Sequence, residues 1–187
     1  MPRRHRPRTR GTRPFGFTTW TSGTSRRGRV RISMTMAAGE RIFCDTNVLL
    51  SAVDRKRSLN PQALHVLNVL PNKGIELCVS GQIVREFLAV CTRPIDMNGL
   101  GLSTQLAVRN AEAIVERSTM LEENRGVAER LLRIAQAAKC LGKQLHDANV
   151  VATMQEHGLT RLVTDNLSDF RRFGELELVD LARVPVS

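Results

Sequence analysis

Ile42-Phe43-Cys44-Asp45-Thr46-Asn47-Val48-Leu49 decides the architecture of this chain. Its first three residues, with Arg41 before them, make the short apolar run of a strand buried on both faces. The run stops at a carboxylate. A helix is then expected from near Asn47, carrying Val48, Leu49, Leu50 and Val53. Strand, acid and helix in direct succession form the first half of a β-α-β unit. The acid falls at the carboxyl end of its strand, where ligands bind in open α/β sheets.

The alternation continues downstream. Pro61 opens a helix with Leu64, Leu67, Val69 and Leu70 as its apolar positions, and Pro71-Asn72-Lys73-Gly74 is a turn. Residues 75–79 read as a second strand and 81–92 as a helix, which Arg93-Pro94 stops. Asn98-Gly99-Leu100-Gly101 is a loop. Ser103 caps a helix to about residue 116, and a longer helix runs over 125–141 until Gly142 ends it. Val127, Leu131, Ile134, Ala135 and Ala138 form its inner stripe. A helix over 147–156 and strands over 161–164 and 176–179 complete the pattern. These elements predict an α/β fold, with a mostly parallel central sheet flanked by helices in three layers.

The 187 residues suit one domain with a tail, and 42% apolar content suffices for one core. No run of eighteen apolar residues is present, so no membrane partner is expected. Residues 1–33 hold ten arginines and no acid. Taking those ten from the 28 basic residues leaves 18, equal to the 18 acidic ones, so the net charge of +10 belongs to the tail. It says nothing about a basic face on the domain. The boundary is set at 1–38 for the tail and 39–187 for the domain. The tail is too poor in aliphatic residues to order itself and is expected to be disordered. Its composition fits an RNA-binding arm, an organellar transit peptide, or upstream sequence ahead of a start at Met34 or Met36. The abrupt change of composition at those methionines favours the last. Cys44, Cys78, Cys91 and Cys140 are scattered in apolar stretches, which points to small buried side chains in a reducing, cytoplasmic setting rather than to zinc or disulfides.

The acids carry the chemistry. Asp45 follows the first strand, Glu86 lies in the helix after the second, Asp147 opens the helix before the third, and Asp165 and Asp169 follow the third strand. The topology brings all of these to one sheet edge. Clustered carboxylates repel one another, and a hard divalent cation, Mg²⁺ or Mn²⁺, gives such a cluster its purpose. Taken singly, Asp45, Asp147 and Asp165 also fit ordinary helix N-caps. Glu86 also fits a plain surface residue, but it falls beside Val90 on the margin of its helix's apolar face, with Arg85 opposite that face. No Ser-His-Asp or Cys-His arrangement competes.

In this setting residues 42–49 resemble the opening motif of PIN domains. Val84-Arg85-Glu86-Phe87 resembles their second motif, and His146-Asp147-Ala148-Asn149-Val150-Val151-Ala152 their third. Leu162-Val163-Thr164-Asp165-Asn166-Leu167-Ser168-Asp169-Phe170 resembles the fourth. The Arg93-Pro94 and Asn98–Gly101 segment is similar to a VapC-type subgroup. The resemblance spans about residues 41–180. It implies a PIN-like fold and a Mg²⁺- or Mn²⁺-dependent endoribonuclease with Asp45, Glu86, Asp147 and Asp169 as catalytic and metal-binding acids. Asp169 is preferred to Asp165 as the fourth acid. Asn47, Thr164 and Asn166 take supporting roles, and His146 is either a donor behind the acids or an exposed helix-start residue. The resemblance further implies the toxin of a toxin–antitoxin pair, with RNA as substrate, a small antitoxin as partner and a homodimer as assembly. Arg55-Lys56-Arg57 and Arg171-Arg172 are candidate phosphate-binding patches, and each equally fits ordinary solvated surface charge. Two other classes stand beside this one: a PIN-like binding module without catalysis, and an aspartate-nucleophile phosphotransferase. The latter usually shows a second Asp where Asn47 stands.

Overall fold

A computed structural model describes residues 31–33 and 37–186. Six strands form one sheet: β1 (Arg31–Ser33), β2 (Arg41–Cys44), β3 (Glu76–Ser80), β4 (Thr119–Leu121), β5 (Arg161–Thr164) and β6 (Glu177–Asp180). Every neighbouring pair is parallel, in the order β1-β6-β5-β2-β3-β4. The helices are α1 (Thr46–Val53), α2 (Asn60–Asn68), α3 (Gly81–Thr92), α4 (Thr104–Val115), α5 (Arg125–Ala137), α6 (Gln144–Glu156) and the single turn α7 (Leu167–Phe170). The expected parallel α/β architecture is present.

The strand order carries the functional consequence. From β2 the chain moves outward to β3 and β4, then crosses back through α5 and α6 to β5 on the other side of β2. The direction of winding therefore reverses between β2 and β5. Right-handed crossovers put the helices of the two halves on opposite faces, which leaves a crevice at the carboxyl ends of those two strands.

Parallel strands covered on both faces are apolar throughout, and these are. Ile42, Phe43, Cys44, Leu77, Cys78, Val79, Leu162, Val163 and Leu178 are buried. Helix α6 is buried round most of its circumference, at Ala148, Val150, Val151, Ala152, Thr153 and Met154, because it lies between α5 and the core. The cysteines are free thiols, three buried and Cys140 half-buried. Burial pushes the Cys91 thiol up to about 11.

Two helix boundaries and two strands differ most from expectation. Helix α5 ends at Ala137, not near 141. Lys139 takes the left-handed conformation at φ 51°, and the Lys139 and Cys140 N–H groups donate to the Gln136 and Ala135 carbonyls. That is a Schellman ending without glycine, set by the chain's turn into α6 rather than by Gly142. Helix α6 begins at Gln144, three residues before Asp147. The Gln144 side chain accepts the Leu141 N–H at 3.0 Å and so satisfies a donor at the helix entrance. Strand β4 was not expected; only Leu121 of its three residues is buried, so no alternation marks it. Arg31–Ser33, placed by its composition in the disordered tail, pairs with β6, whose outer edge offers free backbone donors and acceptors. The expectations for residues 1–30 and for Met34 and Met36 lie outside the described residues.

The loop after α3 depends on one glycine. A Cβ on Gly99 would stand 2.0 Å from the Arg93 carbonyl oxygen, which is backbone and cannot yield. Gly99→Ala is expected to cost on the order of 2–3 kcal/mol. In urea unfolding this appears as a lower midpoint at unchanged m-value.

Candidate functional site

Asp45 extends β2 by one residue, its N–H donating to the Val163 carbonyl at 3.1 Å. Its Oδ2 accepts from Asn47 Nδ2 and from Thr164 Oγ1, both at 2.7 Å. The Thr164 hydroxyl also accepts the other Asn47 amide proton at 2.9 Å and the Asn166 N–H at 3.0 Å. Its one donor and two lone pairs are thus all engaged. Asn47 Oδ1 accepts the Asp165 N–H at 3.3 Å. These bonds tie the end of β2 to the end of β5 across the winding reversal. They hold Asp45 by one oxygen; no side-chain donor among the described residues reaches the other.

None of the three helix-cap alternatives is adopted. Asp45 stands at the N-cap position of α1 but makes no capping bond. Asp147 lies inside the first turn of α6, and the residue preceding α7 is Asn166, not Asp165.

Glu86 is half-buried on α3. Its Oε2 accepts the Thr46 hydroxyl at 2.8 Å and its Oε1 accepts Gln82 Nε2 at 2.7 Å. His146 Nδ1 stands 3.3 Å from the same Oε1. Asp169 accepts a short hydrogen bond from Asn166 Nδ2, and its neighbour Ser168 donates to Asn166 Oδ1 at 2.7 Å. Asn166 therefore links Asp169 to Thr164 and, through it, to Asp45.

Electrostatics join what hydrogen bonds do not. Burial pushes the Asp45 carboxyl up to about 7; hydrogen bonds from Thr164 and the Thr46 backbone oppose the shift, and the charges of Glu86 and Asp165 add to it. Burial likewise raises Asp147 to about 6, reinforced by Asp169 and Glu86 and opposed by Arg172 and His146. Asp165 is also raised by burial, with Arg57 opposing. The five acids thus form one coupled cluster. Asp165 acts on Asp45 and Asp169 on Asp147.

Among the described residues, no three His, Cys, Asp or Glu side chains stand close enough to form a closed ligand cage. The donor set is nevertheless all oxygen and rich in carboxylates, and burial raises Asp45, Asp147 and Asp165 within it. It fits a cation that binds through one or two carboxylates and keeps several waters. It does not fit one enclosed by protein.

Sequence reading missed a second tier. Gln82 is buried; besides Glu86, its Nε2 donates to the His146 carbonyl at 3.0 Å, and its Oε1 accepts Asn149 Nδ2 at 2.6 Å. Glu123, just after β4, accepts the Gln82 N–H, Asn149 Nδ2 at 3.3 Å and Arg85 Nη2 at 3.4 Å. Glu123 thereby occupies the start of α3, where the helix dipole favours an anion. Ser80, the N-cap residue of α3, makes no capping bond, and its hydroxyl is buried without a partner among the described residues. The one usable signal was positional: Gln82 precedes Glu86 by one helical turn.

No curated protein matches the chain. Solved structures do. VapBC-1 from nontypeable Haemophilus influenzae matches with TM-score 0.56 at 20% identity, over 76% of this chain and 98% of that one. VapBC2 from Rickettsia felis, bound to a DNA fragment from its promoter, matches with TM-score 0.58 at 13% identity, over 75% and 98%. A toxin–antitoxin complex from Klebsiella pneumoniae matches with TM-score 0.51 at 21% identity, over 75% and 97%. At these identities the likeness is one of fold. The family model described as PIN domain matches residues 42–176, from the middle of β2 to the residue before β6. With that match over most of its length, this chain belongs to the PIN domain family.

Proposed function

We propose that the domain is a Mg²⁺- or Mn²⁺-dependent endoribonuclease and the toxin of a toxin–antitoxin pair. One observation carries the nuclease reading: Asp45 is locked by Asn47 and Thr164 at the winding reversal, inside the field of Glu86 and Asp165, and the charge of Glu86 reaches Asp147 as well. Asp45 and Asp147 would hold the cation, with Glu86 and Asp169 completing the acidic shell. Bound there, the cation supplies an activated water and offsets charge on the phosphoryl group. The chain's own residues do the positioning. Asn47 and Thr164 fix the Asp45 carboxylate, Thr46 and Gln82 fix Glu86, and Asn166 fixes Asp169. The charges of Arg57 and Arg172 reach Asp165 and Asp147. They supply local attraction for RNA phosphate that a neutral domain otherwise lacks.

The toxin assignment rests on the VapC-type resemblance of the sequence and on the fold shared with a toxin–antitoxin complex. A small antitoxin and a homodimer are carried over on the same grounds. The test is cleavage of a mixed RNA pool by the purified chain. Cutting that requires Mg²⁺ or Mn²⁺, stops with EDTA and stops again on adding a co-encoded small protein is the expected result. No cleavage with either metal would end the proposal.

The raised carboxyls give a pH dependence. Asp45 has its ordinary value of 3.8 in the unfolded chain and about 7 in the fold. Its contribution to stability is therefore full below 3.8 and lost as pH rises through about 7. Metal binding needs the ionised form and runs the other way. Without metal, the melting temperature should fall between pH 5 and pH 8. Saturating Mg²⁺ should reduce that fall, and its affinity should rise over the same interval. Calorimetry in two buffers of different ionisation enthalpy reads the protons released.

A further inference from the structure

We infer that the cavity beside Glu86, bounded by Gln82, Arg85, Leu131, Leu145, His146 and Asn149, holds one unstacked base of single-stranded RNA next to the bond that is cut. The inference rests on the ribonuclease reading for its substrate. The cavity measures about 230 Å³, below the roughly 300–1,000 Å³ of a drug-sized site. It suits a single ring system and leaves the sugar and phosphate outside.

Its walls match a base. Leu131 and Leu145 offer apolar surface for a ring face. Arg85 and His146 stand at the rim with side chains 69% and 66% exposed, and planar groups of both kinds stack on unpaired bases. Asn149 spends its side-chain amide protons on Gln82 and Glu123, while its side-chain oxygen Oδ1 accepts nothing among the described residues. That leaves an acceptor for a base N–H and the Arg85 guanidinium as a donor. A cavity with apolar walls and a few convergent polar groups is how proteins read one base.

Position gives the cavity its purpose. Gln82 and His146 both line it and both contact Glu86 Oε1, at 2.7 Å and 3.3 Å. A base seated there lies one side chain from Glu86. The neighbouring phosphate is thereby set over Asp45 and Asp147. Specificity and cleavage register then come from the same cavity.

The experiment uses the full chain with Asp45→Asn, so that RNA stays intact, and fluorescein-labelled single-stranded pentanucleotides. Each position in turn is replaced by an abasic nucleotide, and binding is read by anisotropy. One abasic position should weaken binding about tenfold, the others by little. Leu145→Trp, which fills the cavity, should abolish that penalty, and Asn149→Ala should reduce it. Leu132→Trp, at an exposed site outside the cavity, should leave it intact. Contacts to phosphate, including any from the arginine-rich tail, do not respond to base removal. If no position shows a penalty above twofold, or if the penalty survives both cavity variants, the inference is wrong. Cleavage by the unmodified chain is scored separately. Cutting without a base penalty rejects the cavity alone; a base penalty without cutting rejects the nuclease and keeps the cavity.

Discussion

Asp45→Asn should lower RNA cleavage by about 10³-fold and, in the absence of metal at pH 8, make the protein more stable. The change replaces one carboxylate oxygen by an amide nitrogen. The remaining oxygen still accepts from Thr164 and Asn47, so the bonds between β2 and β5 survive. What is lost is the negative charge. Burial has already pushed that carboxyl up to about 7, so at pH 8 the fold carries a charge it disfavours. Because Asp45 is only half-buried, water screens part of the penalty, and the expected gain is about 1–2 kcal/mol. Single-turnover cleavage and thermal melting in EDTA measure the two effects on the same samples. A variant that melts below the unmodified chain would show that the Asp45 charge stabilises the fold. One that cuts within tenfold of it would remove Asp45 from the mechanism.

The largest loss of stability is expected from Phe43→Ala. Phe43 is inaccessible at the centre of β2, its backbone paired with Cys78 of β3 on one side and Leu162 of β5 on the other. Both faces of the sheet are covered there, so the cavity cannot be filled by water or by outward movement of a loop. Truncation of a buried phenylalanine costs about 3–5 kcal/mol. For a domain of this size that lowers the melting temperature by about 10 °C. Phe43 is two residues from Asp45, and a shift of β2 would move the acid as well. Activity measured well below the melting temperature should therefore drop further than the unfolded fraction explains. A melting temperature within 3 °C of the unmodified chain would contradict the packing described here.

How much was legible in the sequence depended on what wrote each feature. Strands β2 and β5 and helix α3 were read from apolar runs and a proline stop, because burial on both faces leaves little freedom in composition. Strand β4 was not, because three residues with one buried side chain carry no period. The end of α5 was misread because Gly142 is the conventional stop signal, whereas Lys139 took the left-handed position earlier. The acids were proposed by adding the topology to the sequence. Their supports divide differently. Asn47, Thr164 and Asn166 sit within a few residues of an acid and could be named. Gln82, Asn149 and Glu123 could not, because glutamine, asparagine and glutamate on helix surfaces and loops are ordinary until the fold brings them together. The helix-cap alternative for Asp45 could be settled only by the bonds it makes.

Three of the four proposed acids hang from elements that cannot easily move. Asp45 continues a central strand, Glu86 sits in the middle of α3, and Asp147 lies in the first turn of a buried α6. Displacing any of them by an ångström requires shifting a strand or helix packed in the core. An inhibitor of such a centre is expected to cover it rather than to bend it out of shape. Silenced and active forms should superimpose, and any inhibitor of this chain, natural or made, should compete with the substrate for the same opening.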